Sequence, residues 1–310
     1  MKVRGTLLWL LALSALYLGG LAWIDNERDL LATLGTIGIT FLAMAGLTLA
    51  SWLLRFGRWQ WLMRRIGTLP PTGRSLAAYL AGFAFTATPG KVGELARIRY
   101  FQPLGVKATD VVSAFVFERI IDLLCVMLLA SASIAGNGLL WMATTFVTTV
   151  LVAVAIFAAY PSLLSKTSLG FRHLGFLKAS AMIETLGLGL LGCKRWFRPL
   201  DLLVSVGLGL LAWLLLSMSF VLLNISLGIH LDPGEAIATY PLAMLVGAAS
   251  MLPGGIGSTE AVIVLVLVNA GVPLPLATTV AIGVRLTTLW LAIAVGFVAM
   301  AMLELRCSRS

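Results

Sequence analysis

The sequence predicts an all-α polytopic membrane protein: an inverted repeat of about six full transmembrane helices plus two re-entrant helical hairpins. Three observations carry that prediction. First, 60% of the 310 residues are hydrophobic and 11% charged, and the mean hydropathy is +1.01, which is outside the range of soluble domains. Second, apolar stretches of about 20 residues, enough to cross a bilayer core, recur along the chain. Third, one charged, glycine-rich interruption occurs twice. Pro89-Gly90-Lys91-Val92-Gly93-Glu94 is followed by Gly105 and Arg119; Pro253-Gly254-Gly255-Ile256-Gly257-Ser258-Thr259-Glu260 is followed by Gly271 and Arg285. Counted from the glutamates, both glycines fall 11 residues on and both arginines 25.

Taken in order, the first span covers about 6–24. It is read as a span and not a cleaved leader, since no small-x-small site precedes the turn at Asp25–Asp29. The second covers about 31–54. Arg55, Arg58, Arg64, Arg65 and Arg74, with Trp59 and Trp61 among them, read as a cytoplasmic loop with an interfacial belt. The stretch 75–88 is apolar but too short to cross, and Pro89-Gly90 stops it, so about 75–105 reads as a hairpin that returns to its own side. Spans at about 111–134 and 139–160 follow. Polar 161–199 contains an apolar segment, 179–191, that suits either the interface or a short packed helix. A span at 200–227, a second hairpin at about 236–271 and a last span at 276–303 complete one integral domain. Its repeats are 1–136 and 137–310.

Charge supports this topology. Of the 22 Lys/Arg, Arg28 falls outside and Lys91, Arg119 and Arg285 fall in membrane segments; the other eighteen lie in segments assigned to the cytoplasmic side. Both termini are then cytoplasmic, and the first hairpin dips from the inside, the second from the outside. The net charge of +9 is a topological signal that also suits anionic headgroups, not a nucleic-acid footprint. Cys125, Cys193 and Cys307 have no paired spacing, and the only histidines are His173 and His230. No metal site, disulfide framework or cofactor is expected.

The candidate substrate-binding or gating residues are Lys91, Glu94, Arg97, Glu118, Arg119, Asp122, Glu260 and Arg285. An ionised side chain at the bilayer centre costs roughly 2.5–3.5 kcal/mol on insertion scales, so each needs a partner or a function. Glu94 with Arg119, and Glu260 with Arg285, are either structural pairs that pin each hairpin to the next span or a gate. In a gate the arginines bind a lipid phosphate while the glutamates release them or take up protons. Glu118, Arg119 and Asp122 share one helical turn, and two acids around one base call for a further cation, Arg97 or Lys91, or for a protonated carboxyl. Arg97, Arg99 and Lys107 read first as charges snorkelling to the cytoplasmic side. Lys91 sits in a loop whose backbone N–H groups suit an anion, and Gly255 stands where symmetry suggests a second lysine. The hairpin turns are Pro89, Gly90, Gly93, Pro253, Gly254, Gly255 and Gly257, whose glycines also read simply as turn formers. Tyr79, Tyr240, Ser258 and Thr259 suit a sugar or glycerol headgroup, or satisfy neighbouring helices.

PGKxGE, the ER-x-x-D of Glu118, Arg119 and Asp122, and PGGIGxxE with its later arginine together resemble the transmembrane domain of lysylphosphatidylglycerol synthases and their stand-alone, flippase-like relatives. The resemblance covers roughly residues 30–303. It implies translocation of a lipid; the aminoacyl-transfer domain of the bifunctional members has no counterpart here, so lysine transfer is not implied. It places the chain in a bacterial or archaeal cytoplasmic membrane. The expected function is flipping or scrambling of an anionic lipid, either a phospholipid or a polyprenyl-phosphate-linked sugar, through a polar cleft between the hairpins. The alternatives are a membrane anchor or regulatory partner of a lipid-modifying transferase, and a lipid-modifying enzyme. A homodimer and a pathway glycosyltransferase or other lipid-modifying enzyme are the partners left open.

Overall fold

A computed structural model describes residues 38–131 and 176–307, with isolated positions between them. All regular elements among the described residues are helical. The expected span at 6–24 lies outside the described residues, as does most of the span at 139–160 and of 161–175. Among the described residues three helices are long and apolar enough to cross a membrane: Gly38–Arg65, Pro199–Ser226 and Leu274–Leu305. The chain is a multi-pass membrane protein.

Helix α1, Gly38–Arg65, buries Trp52, Arg55, Phe56, Trp59, Leu62 and Met63 on one stripe at spacings of three and four. It therefore does not stop at Leu54. The segment read as a basic loop is the last three turns of this helix, and Arg55 and Arg58 are buried inside the bundle. Gly67, with φ +76, and Pro70-Pro71 end it.

The first hairpin begins with α2, Thr72–Ala81, which tightens into a 3-10 turn at Gly82–Phe85. After an extended break at Thr88, a second 3-10 stretch, Pro89–Arg97, leads into the short α3, Ile98–Phe101. Helix α4, Ala108–Ala130, carries Glu118, Arg119 and Asp122. Helix α5, Leu177–Cys193, packs along α4, with Gly189 against Val112 and Gly192 against Ser113. Of the two roles expected for 179–191, the packed helix is the one observed.

Helix α6, Pro199–Ser226, starts with proline at its first position and Asp201 in its first turn. It lies along α1 and touches α4. The second hairpin is α7, Pro233–Ala249, capped by the Asp232 carboxylate accepting from Gly234 N–H at 3.1 Å, then a 3-10 turn at Pro253–Gly255, then α8, Ser258–Asn269. Helix α9, Leu274–Arg285, runs through a π-turn at Leu286–Trp290 into α10, Leu291–Cys307.

The packing crosses between the two parts of the chain. The first hairpin rests on α10, and α7 of the second hairpin rests on α4. Gly296 of α10 lets the backbone of Phe83 and Ala84 come into direct contact. The hairpin tips meet: a Cβ at Gly254 would lie 3.3 Å from Ala87 Cα and 3.4 Å from Leu289. Both tips use the same backbone device, two consecutive left-handed residues. These are Gly90 and Lys91 (φ 60 and 56) in one and Gly254 and Gly255 (φ 62 and 66) in the other. Glycine adopts that conformation freely; lysine does so against steric resistance.

Candidate functional site

The charged residues of the two motifs converge where the tips meet. Two adjoining cavities of about 280 Å³ and 80 Å³ lie there. Lys91, Arg119, Trp213, Met244 and Gly254 line both. The larger continues along Asp122, Leu123, Val126, Leu245 and Ala248 to Gly255 and Thr259. The smaller is ringed by Arg55, Glu94, Arg285, Thr48, Tyr79 and Tyr240. One is thus an apolar cleft with a cationic end; the other is a polar chamber.

Asp122 is the electrostatic hub. Arg55 Nη1 donates to one of its oxygens at 2.7 Å and Arg58 Nη2 to the other at 2.8 Å. Arg119 Nη2 approaches at 3.1 Å from the same helix. Three guanidiniums on one carboxylate leave two positive charges uncompensated. Behind this hub, Arg97 Nη2 donates to Glu118 at 3.0 Å and stacks over Trp59 and Tyr79, with centroid distances of 4.5 and 5.0 Å. Glu118 also lies 4.0 Å from Arg58 and accepts from the Tyr79 hydroxyl at 3.4 Å. Gly209 of α6 makes room for this arrangement, because a Cβ there would come within 3.0 Å of Arg58 Nη1.

The second motif forms the pair expected of it. Arg285 Nε donates to Glu260 at 2.8 Å, and its Nη2 donates to the Gly254 carbonyl at the tip. The other Glu260 oxygen accepts the Gly257 N–H at 2.8 Å, closing the start of α8. One arginine–glutamate pair thereby fixes tip, hairpin and α9 together. The π-turn begins one residue after Arg285, a backbone irregularity often found at functional positions.

The first motif does not form its expected pair. Glu94 accepts the Thr86 hydroxyl at 2.8 Å and has no ion pair among the described residues. Arg119 has turned to Asp122 instead, leaving its Nε without a hydrogen-bond partner among the described residues. Asp122, three residues further on its own helix, is simply closer than a carboxylate on the separate 3-10 stretch of the hairpin. Arg97 is also corrected: it is buried beside Glu118, while Arg99, exposed and paired with Glu304 at 3.1 Å, fits its surface role. Arg97 is one of the two cations named as a neutraliser for Glu118 and Asp122, and it takes Glu118. The hub for Asp122 is formed by Arg55 and Arg58, which sequence reasoning assigned to a loop. Three of the eighteen cytoplasmic charges, Arg55, Arg58 and Arg97, therefore leave that tally. The signal for Arg55 was present: it shares a helical stripe with Trp52, Trp59 and Leu62.

Among the turn residues, Pro89 and Pro253 each open a 3-10 stretch. Gly93 admits Thr88, whose hydroxyl accepts Gly93 N–H at 2.7 Å. Thr259 faces Gly247 and Gly255. Among the described residues no cluster of His, Cys, Asp and Glu is placed to hold a metal ion.

Fold and site together define a helical membrane protein with a charged chamber where two broken helical segments touch. A family model described as the lysylphosphatidylglycerol synthase TM region matches residues 7–296, and the chain belongs to that family. No curated protein and no solved structure matches it.

Proposed function

We propose that this protein moves an anionic lipid between the leaflets of a bacterial or archaeal cytoplasmic membrane and is a transporter, not an enzyme. The observation that carries this reading is the excess of charge beside the cleft. Among the described residues Arg55, Arg58, Lys91, Arg97, Arg119 and Arg285 face only Asp122, Glu118, Glu94 and Glu260, so six buried or half-buried cations meet four carboxylates. An excess of two positive charges in a membrane interior is costly by itself and is relieved by a phosphate. The apolar walls running from Leu123 to Ala248 suit the part of a lipid next to its headgroup. The tails stay in the bilayer while the phosphate passes between the tips. Both termini face the cytoplasm, and the two hairpins enter from opposite sides.

The test is reconstitution into unilamellar vesicles holding an acyl-labelled anionic phospholipid, with a membrane-impermeant reductant added outside. Wild-type protein brings the inner-leaflet label within reach of the reductant. Arg119→Ala slows that phase by about tenfold, the loss of one charge-assisted hydrogen bond of about 1.5 kcal/mol. Vesicles that behave like protein-free ones overturn the proposal.

A further inference from the structure

Around the same cavities lies a second set of groups that the phosphate does not use. Most threonines within the helices turn their hydroxyl to the carbonyl one turn back: Thr239 to Glu235, Thr278 to Leu274, Thr279 to Pro275 and Thr288 to Val284. Thr48 and Thr259 do not. Both are fully buried, both line a cavity, and neither hydroxyl has a hydrogen-bond partner among the described residues. Trp213 lies between them. It is 5% exposed and lines both cavities, with Arg55 over its ring at 4.6 Å, and its indole N–H has no acceptor among the described residues. A buried polar group without a partner costs about 1–3 kcal/mol, so three of them around one pair of cavities mark where a ligand supplies the partners.

We infer that the headgroup taken by this site carries hydroxyl groups beside its phosphate and no ammonium. The inference rests on the transport reading above and narrows its cargo. An indole N–H only donates and a threonine hydroxyl both donates and accepts, which is the complement of a glycerol or sugar. An ammonium has donors alone and a positive charge. It would meet Lys91 and Arg119 at the cleft, and Glu94, the one carboxylate there without an ion pair among the described residues, already accepts from Thr86 and shares its cavity with Lys91.

The experiment compares three acyl-labelled lipids in the vesicle assay: phosphatidylglycerol, phosphatidylmethanol and phosphatidylethanolamine. The first two carry the same phosphodiester charge and differ in hydroxyls; the third adds an ammonium. Wild type moves phosphatidylglycerol about fivefold faster than phosphatidylmethanol, the worth of about one hydrogen bond, and phosphatidylethanolamine slowest. Thr48→Val, Trp213→Phe and Thr259→Val each lower the phosphatidylglycerol to phosphatidylmethanol ratio. A folding defect lowers both rates together and leaves that ratio alone. Equal rates for all three lipids, or ratios unchanged in all three variants, overturn the inference while the transport reading stands. If no labelled lipid moves, the transport reading falls. The headgroup inference is then decided by thermal shift with short-chain versions of the same lipids: selective stabilisation by phosphatidylglycerol that Trp213→Phe removes supports it, and equal stabilisation overturns it.

Discussion

The two hairpins share a motif and a tip geometry, yet one is tied shut and the other is not. In the second, Arg285 holds Glu260 and the Gly254 carbonyl, and only 2% of its side chain is exposed. In the first, Arg119 leaves Glu94 alone, pairs within its own helix and keeps 23% of its side chain exposed. The second tip has glycine at both left-handed positions, whereas the first keeps a lysine at one of them. The copies therefore differ in geometry: Arg285 braces the second tip through Glu260 and the Gly254 carbonyl, whereas Lys91 and Arg119 of the first line both cavities. A duplicated motif does not imply duplicated function once neighbouring residues compete for the same charge.

The largest effect expected from breaking this arrangement is at the hub. Asp122→Asn leaves two buried guanidiniums, Arg55 and Arg58, and the half-buried Arg119 without their shared carboxylate, and removing one partner from a buried ion pair costs about 3–5 kcal/mol. The detergent-solubilised variant unfolds at a much lower temperature than wild type or fails to accumulate; an unchanged Tm would show that the three arginines repel less than their geometry implies. Next comes the contrast between the glutamates. Glu260→Gln removes the Arg285 ion pair, leaves one amide oxygen to serve both Arg285 and the Gly257 N–H, and lowers stability by about 2–3 kcal/mol. Glu94→Gln changes it by less than about 1 kcal/mol, since its neutral amide still accepts from Thr86. Parallel denaturation curves read both, and equal losses would dissolve the distinction between the copies.

A subtler prediction sharpens the comparison at the tips. Lys91→Gly gives the first tip the glycine pair of the second and relieves about 1 kcal/mol of left-handed strain. Thermal stability holds or rises while transport of anionic lipid falls. If transport is unaffected, the lysine charge has no part in it. The smallest effect is at the surface. Arg99→Ala removes an exposed pair with Glu304 and shifts stability by at most about 0.5 kcal/mol, which makes it the control for the buried variants.

The all-helical membrane fold, the break in each hairpin and the α6, α9 and α10 segments were legible in the sequence. Apolar length and proline–glycine interruptions are local properties that the bilayer enforces on any fold. The Glu260–Arg285 pair was legible as well, because no nearer acid competes for Arg285. The Glu94–Arg119 pair was misread for the same reason inverted, since Asp122 sits one turn from Arg119. The burial of Arg55 and Arg58 was hidden because an arginine after an apolar run reads as a loop charge. Only the partner carboxylate on α4 reveals it as the end of a longer helix.

The sequence by itself determined that this chain lies in a membrane, that two interrupted segments carry its charges, and which residue types sit at each break. Backbone hydrogen bonds cannot go unmade in hydrocarbon, so those outcomes need no knowledge of neighbours. Tertiary structure alone decided which carboxylate each arginine holds, that the tips touch at Ala87 and Gly254, and that Thr48, Trp213 and Thr259 line two adjoining cavities. Coulomb attraction at these distances is won by the nearest partner, and nearness between α1, α4 and α6 is a property of packing that no local pattern encodes.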